Sequence, residues 1–184
     1  PRDIEGGKLL ISHPFLPDAN FKRAIILLTQ HSAPTGSLGF ILNRPVDMAL
    51  ADVLSDFEGY QAPMFFGGPV ELDSLHYLHR LGSRLEGGIE VLPGVHWGGN
   101  FEQLRGMVAA GQVEDGDIRF FVGYSGWAPL QLYKELEEKS WIVAETEASE
   151  IFQSDPERFW RAKLRGMGNE YAILANFPED PRLN

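Results

Sequence analysis

The chain has 184 residues, no cysteine, and 26 Asp plus Glu against 16 Lys plus Arg, a formal net charge of −10. The absence of thiols excludes a disulfide framework, a cysteine nucleophile, an all-cysteine zinc site and an iron–sulfur cluster held by this chain. The acidic balance opposes nucleic-acid binding through broad electrostatics, which needs clustered Lys and Arg against the phosphates.

Lys8–Ser12 (KLLIS) and Ala24–Gln30 (AIILLTQ) are continuous apolar runs rich in β-branched residues, the pattern of strands buried on both faces. Pro14, Pro17, Asp18 and Asn20 supply turn chemistry between them. Ser32–Gly36 is a loop into Leu38–Leu42 (LGFIL), and this short spacing predicts an antiparallel hairpin with the preceding strand, closed by Asn43-Arg44-Pro45. A helix is predicted over Ala49–Phe57, where Leu50, Val53, Leu54 and Phe57 form an apolar stripe before Gly59. Met64–Phe66 reads as a short strand running into a sharp bend at Gly67-Gly68-Pro69-Val70. Leu75–Leu81 and Gly88–Leu92 are further strands, followed by a glycine-rich turn over Gly94–Asn100. Asn100 suits the N-cap of a helix reaching Ala110, and Gly111 suits its stop. After a turn at Asp115-Gly116, Ile118–Tyr124 (IRFFVGY) is a core strand. A helix with Pro129 in its first turn extends through Lys139, Trp141–Ala144 is the last strand, and Ser154-Asp155-Pro156-Glu157 opens a final helix, Pro156–Arg165.

The mixture lacks a strict βαβ alternation, so the predicted class is α+β with a mixed or antiparallel sheet. Neither a linker nor an internal repeat divides the chain, and residues 1–184 are read as one domain. No apolar run approaches the ~20 residues of a membrane helix, and Pro1–Glu5 carries no signal-peptide pattern. A cytoplasmic location without membrane partners is the expectation.

Chemistry is sparse. The Gly67-Gly68, Gly87-Gly88 and Gly98-Gly99 pairs match neither a dinucleotide fingerprint nor a P-loop, and bends explain them, although two glycines at a strand end also let a ligand approach closely. His76-x-x-His79 on a strand places the imidazoles on opposite faces, so no metal site is expected. Ser125, in Gly123-Tyr124-Ser125-Gly126-Trp127, lacks the spacing of a nucleophile elbow. Arg44 offers a planar guanidinium suited to carboxylate or phosphate, with ion pairing to an acidic neighbour as the simpler reading. Trp127 is read as core or edge packing that can also line a pocket. Arg158, Arg161, Lys163 and Arg165 alternate with Phe159, Trp160 and Leu164 at helical spacing and are read as the solvated face of an amphipathic helix.

Taken in order, Leu9–Asp18 (LLISHPFLPD), Phe21–His31 (FKRAIILLTQH), Gly39–Pro45 (GFILNRP), Phe66–Val70 (FGGPV) with His79, Arg119–Trp127 (RFFVGYSGW), Gln131-Leu132 with Glu135, Phe159-Trp160 and the closing Asp180–Asn184 resemble the YqgE/AlgH family of bacterial proteins over nearly the entire chain. One departure is Pro129-Leu130, since the family usually carries a glycine immediately before the Gln-Leu pair. The resemblance implies a bent, branching sheet that curls into a pseudo-barrel with helices around it. It carries over no catalytic residues and no cofactor, and its transcriptional-regulator label comes without a recognisable DNA-binding motif. The expectation is a non-enzymatic binding or regulatory module for an unknown protein or small molecule, with a site near Asn43, Arg44, Gly67, Gly68, His79 and Trp127. The alternatives are a hydrolase or transferase using His79 or Ser125, and a transcriptional regulator acting without direct DNA contact.

Overall fold

A computed structural model describes residues 4–178; the Asp180–Asn184 segment of the resemblance lies outside them. The structure is α+β, with nine strands in one sheet and five helices. Strands β1 (Leu9–Ser12), β2 (Ile25–Ser32) and β3 (Gly36–Ile41) are antiparallel neighbours, and β9 (Trp141–Ala144) adds to the outer edge of β1. The double-sided apolar runs follow from this placement. Leu9, Ile11, Ile25 and Leu27 face one core with α3 (Ala148–Gln153), α4 (Pro156–Arg165) and α5 (Asn169–Ala175). Leu10, Ile26 and Leu28 face another with Leu132 of α2 (Gln131–Glu137). A third core lies between Phe120 and Ile118 of β8 (Ile118–Trp127) and α1 (Phe101–Ala109).

β8 is the branch point. Along one edge it pairs with β5 (Val70–His79). Along the other, Phe120–Val122 pair in parallel with β4 (Met64–Phe66), and Ser125–Trp127 pair antiparallel with β3. Gly123 sits at the change of partner with φ 69°. A Cβ on Gly67 would collide with the Gly123 carbonyl oxygen, and one on Gly68 with the Tyr124 carbonyl, so the β4–β5 turn crosses β8 backbone to backbone. The Ser125 hydroxyl donates to the Gly67 carbonyl at 3.0 Å and fixes that crossing. The remaining strands, β6 (Ile89–Leu92) and β7 (Val95–Trp97), extend the sheet beyond β5. β6 and β9 are its two ends, so the curled sheet is not closed into a barrel. Among the described residues no helix is long and apolar enough to cross a membrane.

Four local expectations are corrected. Ala49–Phe57 forms two 3₁₀ turns, Leu50–Asp52 and Ser55–Phe57, not an α-helix. Val53 is 45% exposed, so the stripe is not one buried face, and the Asp52 carboxylate accepts from the Ala49 N–H and tightens the first turn. The supposed Gly94–Asn100 turn contains β7, because Gly94 at φ 84° closes a two-residue hairpin between Leu92 and Val95. Pro156–Arg165 is helical with the Asp155 side chain accepting from the Glu157 N–H, but it is not final: Gly168 at φ 119° restarts the chain into α5. α2 starts at Gln131, later than Pro129, because Leu130 adopts φ 68° and ψ −8°, and Gln131 Oε1 accepts from the Ala128 N–H.

Leu130 thus holds a left-handed conformation that costs a side-chain-bearing residue about 1–2 kcal/mol, at the place where the resembling family usually has glycine. It is 67% exposed, so little packing opposes its removal. Leu130→Gly is expected to stabilise the protein by about 0.5–1 kcal/mol after the added freedom of the unfolded chain is deducted, raising the calorimetric Tm by roughly 1–4 °C. A lower Tm would contradict the strain assignment.

Candidate functional site

The site grows from the start of β2 and the end of β3. The Asn43 side chain, 8% exposed, accepts the Ile25 N–H on Oδ1 and donates through Nδ2 to the Arg23 carbonyl, each at 2.9 Å. Ser12 Oγ accepts the Ala24 N–H at 2.8 Å. These bonds hold Arg23 at φ 50°, a conformation a non-glycine residue keeps only when its surroundings impose it. The Arg44 guanidinium donates to the Lys22 carbonyl, placing the 22–23 and 43–44 dipeptides side by side.

Helix α4 packs across them. Trp160, 3% exposed, donates its indole N–H to the Ser12 carbonyl at 2.9 Å, and the Arg23 guanidinium lies 4.9 Å from its ring centroid. Arg158, Arg161 and Arg165, spaced i, i+3 and i+7, share the exposed face. They belong to the stretch read from sequence as a solvated helix face; solvent does reach them, but they also form one wall of a cleft of about 800 Å³. Lys22, Arg23 and Arg44 form the opposite wall, and Glu157 is the one acidic residue among the described lining.

Three guanidiniums donate to neutral oxygens of the last residue of α5 and the two that follow it. Arg161 Nε donates to the Ala175 carbonyl at 3.0 Å, Arg165 to Asn176 Oδ1 at 3.2 Å, and Arg23 to the Phe177 carbonyl at 2.6 Å. For Arg161 and Arg165 a neutral oxygen orients the guanidinium without neutralising it, and the partially negative end of a helix favours the cation there. Among the described residues no carboxylate lies within 4 Å of Arg161 or Arg165, while Arg158 meets Asp155 at 3.7 Å.

The other residues singled out by sequence do not converge on this cleft. Gly67 and Gly68 are buried in the crossing over β8; the Phe66 N–H donates to the Arg44 carbonyl, which brings only backbones together. His79 is fully buried, stacks on His96, donates from Nε2 to the Gly98 carbonyl at 2.8 Å and accepts the Leu81 N–H on Nδ1 at 3.1 Å. Both ring nitrogens are therefore committed to backbone, and burial pushes its pKa down. His76 packs on the opposite face against Phe40, Trp97 and Tyr124, and burial lowers its pKa too. Ser125 is fully buried with its hydroxyl on Gly67, so neither candidate nucleophile nor base is presented to a ligand. Trp127 donates its indole N–H to Glu135, which also receives that of Trp141; this is core packing beneath α2. Among the described residues no three His, Asp or Glu gather as metal ligands.

Sequence reasoning missed Lys22, Arg23, Arg158, Arg161 and Arg165 as site residues. A signal existed for the last three, which fall on one helix face with Trp160 and Leu164 turned inward. Nothing local tied that face to the Lys22-Arg23 pair.

A sequence model of the AlgH-like family matches residues 9–172. A UPF0301 protein of Chlorobium limicola is 43% identical over 181 residues, 98% of this chain and 96% of that one. Two solved structures share the architecture. A protein from Corynebacterium diphtheriae superimposes with TM-score 0.81 at 21% identity over 95% of this chain and 93% of its own. The AlgH protein from Pseudomonas aeruginosa gives TM-score 0.72 at 26% identity over 93% of each.

The His79 geometry makes stability pH-dependent. Its folded pKa lies below the ordinary value of 6.5, so as pH falls through 6.5 the unfolded chain gains a proton that the native ring refuses. The urea midpoint is therefore expected to fall between pH 7 and pH 5, with a shallower fall in His79→Gln. An unchanged slope in that variant would contradict the buried neutral imidazole.

Proposed function

The chain belongs to the AlgH-like family, and we propose that it is a non-enzymatic binding module whose ligand is an anion held in the cleft between the β2 and β3 ends and α4. One observation carries the reading: six of the chain's 16 Lys and Arg line this cleft, with Glu157 the one acidic residue in the described lining, in a protein of net charge −10. Taking those seven out leaves 10 basic against 25 acidic residues elsewhere, a net −15. Five of the six cations are arginines, whose planar forks take two oxygens of a phosphate or carboxylate at once. No hydroxyl or imidazole lines the described cleft, which supports binding over nucleophilic chemistry.

The acidic remainder bears on the size of the ligand. Field lines from an isolated positive cleft attract a compact anion, whereas a long duplex would lie across surface that repels it. A regulatory role then runs through ligand capture and contact with a partner, without direct DNA binding. Titration calorimetry at about 50 mM salt tests the reading, with tripolyphosphate and citrate as probes. At least one is expected to bind, with affinity that weakens as salt rises. Arg158→Gln and Arg161→Gln are each expected to cost about 1.5–3 kcal/mol of binding, while Lys134→Gln on exposed α2 costs nothing. Absence of binding by both probes, or indifference to the cleft variants, would refute it.

A further inference from the structure

Pro45, the residue after Arg44, begins a second surface that shares no lining residue with the anion cleft. We infer that it is a docking groove for a cationic, amphipathic helix of a partner protein. The groove has a volume of about 370 Å³, and its described lining, drawn from residues 45–51 and 59–64, holds no charged residue. Met48 lines it at 50% exposure, and Val53, two residues past the lining residue Ala51, is 45% exposed. The local fold explains why apolar side chains are left outside. Its two 3₁₀ turns bury Leu50 and Phe57 in the core beside α1, and the stripe that the sequence spaces for one helix face is thereby split, with Val53 turned to solvent. An unbranched thioether such as that of Met48 adapts to whatever apolar face meets it.

Charge selects the occupant. The chain carries no Lys or Arg from Pro45 through His79, whereas Asp47, Asp52, Asp56 and Glu58 all fall in the segment that forms the groove. Glu114 and Asp115 join them, because the Tyr60 hydroxyl donates to the Glu114 carbonyl at 2.6 Å and the Gln61 N–H to Asp115 Oδ1 at 3.4 Å. Burial pushes the Tyr60 phenol above its ordinary value, and the carboxylates of Asp117, Asp115 and Glu114 push it further, so their negative field reaches the groove wall. Asp56 meets Arg105 at 3.4 Å and Asp117 meets Arg80 at 3.3 Å; among the described residues no cation lies within 4 Å of Asp47, Asp52, Glu58, Glu114 or Asp115. An apolar floor within an acidic rim repels a second copy of this chain, at net −10, and repels nucleic acid and an anionic membrane surface equally. Among the described residues no three carboxylates gather as they would around a metal ion. Spaced carboxylates around an apolar groove fit Lys and Arg flanking the apolar anchors of a helix laid into it.

The test titrates a leucine–lysine peptide of about 14 residues, its leucines on one helical face, into protein labelled at the methionine methyl carbons, at about 100 mM salt and without polyanions. The methyl resonances of Met48 and Met64, which line the groove, are expected to shift together and saturably, while Met167, between α4 and α5, stays unmoved. A peptide of the same composition with its leucines scattered around the helix should bind at least about tenfold more weakly, and the leucine–glutamate counterpart should not bind. Met48→Ser should weaken binding about tenfold, and Asp47→Asn combined with Glu58→Gln about three- to tenfold, each variant being shown folded by its thermal transition. Equal binding of the scattered peptide, binding of the acidic one, indifference to these variants, a shift of Met167 as large as that of Met48, or no shift at all would overturn the assignment. With no polyanion present, either result leaves the anion cleft to its own titrations.

Discussion

The carboxamide of Asn43 is the joint on which the site depends. Buried at the end of β3, it closes two hydrogen bonds to the backbone around Arg23. A buried amide left without partners costs about 1–3 kcal/mol for each lost bond, so the side chain and the strained backbone it holds form together or not at all. Arg23 at φ 50° is the consequence. Without that turn the chain would enter β2 with Lys22 and Arg23 directed elsewhere; with it, Arg23 covers Trp160 and reaches the Phe177 carbonyl. Arg44, one residue on, closes the arrangement through the Lys22 carbonyl. A single polar side chain thereby couples the sheet, α4 and the segment after α5.

The branching of the sheet places this joint. β8 shares one edge between β4 and β3, which is possible only where the Gly67-Gly68 turn can touch the Gly123–Tyr124 backbone directly. Because β4 takes the edge, the segment that follows β3 is turned away from β8 and pairs briefly with β4 itself, the Arg44 carbonyl receiving the Phe66 N–H. Asn43 and Arg44 then stand at the sheet's rim, where α4 can close over them. The glycines and Ser125 thus act on the cleft through the backbone, at a distance from any ligand, while His79 performs a similar internal task at the β5–β7 end of the sheet.

Legibility in the sequence followed how local each determinant was. The double-sided strands at Lys8–Ser12 and Ala24–Gln30 were readable because burial on both faces leaves an uninterrupted apolar run, and α4 because Asp155 and Pro156 mark its start independently of context. β7 was hidden by its glycines, which served a hairpin and not a loop. α5 went unread because the last predicted helix ended at Arg165, and Gly166 and Gly168 separate the two helices. Asn43 and Arg44 were visible as a polar strand end. Their partners were not, because Arg161 and Arg165 lie more than a hundred residues away and the helix face that carries them reads as ordinary solvated charge until its docking is known. Gly67, Gly68, His79 and Trp127 drew notice for residue type, whereas the structure uses them for close approach, backbone satisfaction and packing.

The proposed ligand site is the cationic cleft set in place by Asn43 and residues 175–177. Backbone amide NMR during titration with tripolyphosphate addresses this most directly, since it reports every position at once. The account predicts saturable shifts concentrated at residues 22–23, 43–44, 158–165 and 175–177, with the amides around His79 and Trp127 unmoved. Shifts centred on those two regions, or none at saturating tripolyphosphate, would contradict it.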